Sequence, residues 1–121
     1  MDKRPSVIIT EFLQLLENSR NEYEQAFSEV GQEDRKVQTF LHDMEFAPNK
    51  GERNKIATRL QQSRRIRRNA KDRAQLYENI YNFYTDKQTQ NLLKSLRRLQ
   101  NEQNATEKYL FGNREFKNRV D

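Results

Sequence analysis

Cysteine and tryptophan are absent from the 121 residues, histidine occurs once, proline twice and glycine three times. Each shortage closes off a class of protein. Without cysteine there is no disulfide framework and no thiolate nucleophile, and a reducing compartment suits the chain. A single histidine, His42, cannot build a metal cluster or a paired proton relay, and no metal site or cofactor is expected. Asp43 is its neighbour in sequence, so on a helix that carboxylate is expected to point away from it, leaving His42 at or beside a seam near the hairpin end. Three glycines cannot supply a glycine-rich phosphate loop, and the scarcity of turn residues argues against a sheet protein. Long apolar runs are missing as well. The opening MDKRPSVIITEFLQLLE begins with positive charge, but Glu11 interrupts its short apolar part, Glu17 follows, and no small-residue cleavage site comes next. It reads as a helix of a cytoplasmic protein, with nothing that spans a membrane.

What the chain does have is charge. Charged residues make up 34% of it against 33% apolar, and the formal net charge is +5. So small an apolar share rules out a thick core and favours an elongated fold with narrow seams. The positive balance favours anionic partners without specifying a fold.

Pro5, Pro48 with Gly51, and Gly112 divide the chain, and between them the apolar periodicity is helical. A first seam runs through Ile9, Phe12, Leu16, Ser19, Tyr23, Ala26, Val30, Glu33, Val37, Phe40 and Met44, predicting one long helix that passes through Gly31. A second helix is expected to start near Glu52, with its seam at Ile56, Leu60, Ser63, Arg67, Ala70, Ala74, Tyr77, Tyr81 and Tyr84. TDKQ, Thr85 to Gln88, has the form of a capping box and predicts a third helix, with Leu92, Leu96, Leu99, Gln103, Thr106 and Leu110 on its seam. The fold class is therefore all-α: a single domain over 1–121, an elongated antiparallel three-helix coiled coil with two long helices and a shorter third. That third helix is expected to fold back beside the second half of the second and the first half of the first, making a three-helix core there. Residues 113–121 form a basic C-terminal tail, ordered only if Phe116 docks.

Catalytic chemistry is scarce. The serines have no base at helical spacing, and the carboxylates are interleaved with arginine and lysine as on a solvated helix face. An enzyme is not expected. Tyr77, Tyr81 and Tyr84 fall at seam spacing, which favours packing against the third helix over stacking on bases.

The strongest local feature is RRIRRNAKDR, Arg64 to Arg73. Projected at 100° per residue, Arg53, Arg64, Arg67, Arg68 and Lys71 share a stripe, and Arg65 and Arg73 point elsewhere. A hairpin turning near residue 48 sets Arg64, Arg67 and Arg68 near Glu29, Glu33 and Asp34, and the polar seam steps Glu33 and Arg67 form an internal register pair. From the third helix, Glu102 and Glu107 are expected near Arg65 to Lys71. That leaves Arg53, Arg64, Arg68 and Lys71 as the partner-binding residues, with Lys94, Arg97 and Arg98 as a second basic cluster.

RRIRRNAKD, followed after one helix by NREFKNRV, resembles the pattern of small all-helical proteins from the early and accessory regions of phages and prophages of Gram-positive bacteria. The resemblance lies in size, helix order and these two basic stretches, over about the C-terminal half. It implies a host-takeover, regulatory or counter-defence role, and some anti-CRISPR proteins are similar in being small, helical and non-enzymatic. The expected function is thus that of an inhibitor by protein–protein interaction, blocking a larger bacterial protein or nucleoprotein complex in the host cytoplasm. Two other readings stand beside it: non-specific nucleic-acid binding through the basic stripe, and a structural homodimer joined through the apolar end.

Overall fold

A computed structural model describes residues 3–112. They form three helices, α1 (Pro5–Glu45), α2 (Lys50–Thr85) and α3 (Lys87–Phe111), and no strand is present among the described residues. Proline opens α1, where its missing N–H costs nothing, and the helix runs unbroken through Gly31 for 41 residues. The side chain of Asn49 accepts the Glu52 N–H at 2.9 Å and caps α2, which begins two residues before the expected start.

The break between α2 and α3 is a single residue. Asp86 is extended, and its carboxylate accepts the Gln88 N–H at 2.8 Å. The cap is therefore Asp86 and not Thr85: an aspartate beside the first free N–H is the better acceptor, and its charge suits the helix N-terminus. Gln90 reaches back to donate to the Tyr84 carbonyl, one of the acceptors left open where α2 ends.

The helices pack as two compact units, residues 3–17 with 83–112, and Asn18–Asn82. In the second unit, α1 and α2 are paired in opposed order. Tyr23 stacks on Tyr81 with ring centroids 4.2 Å apart, Glu29 meets Arg73, and Glu33 meets Ser63. Small residues sit at the closest approach: Ser19, Ala26, Ser63 and Ala70 are each at most 3% exposed. Such positions let two backbones come together with little apolar volume, so the seam is narrow, as a chain one-third apolar requires.

In the first unit, α3 pairs with the opening turns of α1. Ser6 bonds to Glu107, Thr10 to Gln100, and the Arg4 guanidinium lies 4.6 Å from the Phe111 ring centroid. Their order is opposed. The pairing of α3 with the first part of α1 agrees with the expected contact, and the single residue Asp86 between α2 and α3 is shorter than the loops of about 2–5 residues usual in helical hairpins. The seam of α3 is also shifted from Leu92, Leu99, Thr106 and Leu110 to Thr89, Leu93, Leu96, Gln100, Gln103 and Glu107. Leu93 is wholly buried, while Leu92 and Leu99 remain 49% and 44% exposed. On α1 the seam passes through Leu13 where Phe12 was expected. The tail and Phe116 lie outside the described residues.

Candidate functional site

Within the second unit, the carboxylates of α1 are distributed among α2 partners one by one. Glu33, 5% exposed, accepts the Ser63 hydroxyl at 2.5 Å and the Lys36 ammonium at 3.1 Å. The serine hydrogen bond is the main cause holding its carboxyl below the ordinary range, and the lysine adds to it against the opposing effect of burial. Asp34 takes Arg67, whose Nε donates at 2.6 Å. The expected Glu33–Arg67 register pair is therefore split: the long guanidinium side chain reaches the more exposed Asp34, and the short serine fits beside the buried glutamate.

Arg73 departs furthest from expectation. It is the most heavily paired arginine of the basic stretch, with Glu29 at 2.8 Å and Glu22 at 3.9 Å. A projection places it off the polar stripe, but that same rotation brings it beside the seam residue Ala74, next to α1. The signal was present in the sequence: Glu22 and Glu29 are one heptad apart on α1, so both face the same side of that helix.

These pairings consume Glu22, Glu29, Glu33 and Asp34, and Arg64, Arg68 and Lys71 have no carboxylate partner among the described residues. With Arg67, Asp34 and Val37 they line an open cleft of about 470 Å³. Four cations face it, and its one carboxylate is already engaged by Arg67. A second open cleft shares Arg64 and runs toward the start of α2 through Gln61, Leu60, Thr58, Ala57 and Asn54. Arg53 lies about three turns before Arg64, at 1.5 Å per residue, and does not line either cleft. Of the third-helix acids expected near the stripe, Glu102 lies 4.0 Å from Arg98, and Glu107 accepts the Ser6 hydroxyl. Lys94, Arg97 and Arg98 are exposed on α3, with Arg98 paired only loosely to Glu102.

The tyrosines are seam residues. Tyr84 is 8% exposed and Tyr81 stacks on Tyr23 of α1, so their rings are engaged inside the fold. His42 is exposed, 3.8 Å from Asp43 and tilted against Phe46, which brings it nearer that carboxylate than expected. Among the described residues no group of three His, Cys, Asp or Glu side chains is arranged to hold a metal ion, and no helix is long and apolar enough to cross a membrane. What the cleft offers is positive charge, which suits it to holding an anion.

No family model matches the chain, and no curated protein or solved structure is significantly similar to it.

Proposed function

We propose that this protein is a non-enzymatic binding protein, an antiparallel coiled coil whose α2 cleft docks on an acidic surface of a larger complex. The observation that carries this reading is the set of Arg64, Arg68 and Lys71, left unpaired beside a seam where neighbouring carboxylates are already matched to other cations and to Ser63. Cations that stabilise the fold are found next to acids. These three are held on a rigid helix pair and face solvent, the arrangement that steers an anionic partner and fixes its register. Mechanism follows from size and charge: the helix pair occupies a surface and excludes the partner's usual ligand.

The resemblance to small phage accessory proteins makes a bacterial nucleic-acid-processing or defence complex the partner to test, with steric inhibition of the anti-CRISPR type as the expected effect and the host cytoplasm as its place. Capture from a bacterial lysate, with Arg64→Glu, Arg68→Glu and Lys71→Glu combined as the control, tests the surface. Loss of capture by a variant with unchanged helicity supports the reading, and undiminished capture refutes it. A titration with DNA and RNA at two salt concentrations decides the class of partner. Tight binding that falls steeply with salt would replace the acidic protein with a phosphate backbone.

A further inference from the structure

The displaced seam of α3 leaves a second apolar face on the first unit. Ile8, Phe12 and Leu15 of α1 and Leu92 and Leu99 of α3 are between 44% and 56% exposed. Each stands immediately before a seam position: Ile9, Leu13, Leu16, Leu93 and Gln100. In two helices of opposed direction, the positions that precede the seam come to the same side of the pair. The five side chains therefore line one flank.

We infer that this flank is the interface of a homodimer, in which a second copy lays its own α1–α3 pair against the first. Two observations favour another copy over a different occupant. The flank is self-complementary, because a two-fold along the helix axes places α1 of each copy beside α3 of the other, and every neighbouring pair is then opposed, as in an up-down four-helix bundle. The area is also sufficient. Five half-exposed large side chains present on the order of 500 Å² per copy, or about 1,000 Å² in the pair, the lower bound for a specific interface. The α2 cleft belongs to the other unit, so the dimer carries two copies of it.

The absence of cysteine makes the test clean, since one introduced thiol per chain is the only one present. Sedimentation at about 50 µM should give the mass of a dimer. Phe12→Glu with Leu99→Glu should give a monomer of unchanged helicity, weakening association by at least roughly 100-fold as like charges meet across the interface. Mixing a Phe12→Cys chain with a Leu99→Cys chain under oxidation should give the mixed disulfide in preference to either homodisulfide. A wild-type monomer overturns the inference, as does a dimer that survives the double substitution or a thiol pair that does not cross-link. A wild-type monomer whose Leu99→Cys thiol becomes reactive only after removal of 113–121 assigns the flank to that segment and overturns it equally.

Discussion

Replacing Ser63 by alanine removes one hydroxyl from the α1–α2 seam and leaves the Glu33 carboxylate, 5% exposed, with the Lys36 ammonium as its remaining partner. A hydrogen bond to a charged group contributes about 1.5–3 kcal/mol, and both Ser63 and Glu33 are buried, at 3% and 5% exposed. The expected loss at pH 7 is therefore about 2 kcal/mol, or roughly 6–12 °C in Tm for a chain of this size. The pH dependence makes the test specific. Glu33 has its pKa lowered in the folded state, first by Ser63. A carboxyl of that kind binds fewer protons folded than unfolded, so its contribution is present above the unfolded value of about 4.3 and is lost as pH falls through the folded one. Wild type should therefore lose stability on acidification, and Ser63→Ala should lose less. The gap between the two should narrow on acidification, as pH falls through the folded value and the carboxyl takes up its proton. Urea melts followed by helical circular dichroism at pH 7 and at a series of lower pH values measure it. A gap that does not narrow on acidification would refute the assignment of Ser63 as a partner of the charged form, and a gap under about 0.5 kcal/mol at pH 7 would refute the bond itself.

Other substitutions separate the remaining contributions. Gly31→Ala should stabilise by about 0.5–1 kcal/mol, since a Cβ there meets only the Arg35 guanidinium at 4.0 Å and the helix gains backbone rigidity; thermal melts read the gain. Arg73→Ala should cost roughly 1–2 kcal/mol by leaving Glu29 unpaired at the seam, whereas the Arg64, Arg68 and Lys71 reversal should stay within about 0.5 kcal/mol of wild type; parallel urea melts distinguish them. Ser6→Ala should raise the pKa of Glu107, which Ser6, Gln103 and Arg4 lower in that order of partners, and carbon-detected titration of the side chain reads the shift directly.

The helices themselves were legible because their signals are local. Apolar spacing, Pro5, Pro48 with Gly51 and the polar cluster at Thr85 to Gln88 act within a few residues, and the second helix's seam can be read position by position from Ile56 to Tyr84. The third helix was harder, for a physical reason. It carries two overlapping stripes that share Leu96, one with Leu92, Leu99 and Leu110 and the other with only Leu93 besides, and periodicity alone ranks the stripe with more leucine. The seam instead follows Thr89, Leu93, Gln100 and Glu107, because what decides burial there is the partner: the opening turns of α1 present Ser6 and Thr10, which bond to Glu107 and Gln100. Polar complementarity across helices distant in sequence leaves no mark on either helix read by itself.

The basic stretch shows the same division between local and paired information. A helical projection distinguishes exposed from seam-facing arginines well enough to set Arg64, Arg68 and Lys71 apart, yet it misplaces Arg73, because a long side chain can lie off the seam at its Cα and still cross to the neighbouring helix with its guanidinium. Fold and surface are thus written in the same residues, and only the partner separates them. Arg67 and Arg73 end on carboxylates that α1 supplies, and Asp34, the one carboxylate lining the cleft with Arg64, Arg68 and Lys71, is the one Arg67 already engages. Had those three been required for the hairpin, a carboxylate at a facing position would have been the simplest way to stabilise it. Among the described residues Arg64, Arg68 and Lys71 have no such carboxylate of their own, and the proposal of an outside partner rests on that difference from Arg67 and Arg73.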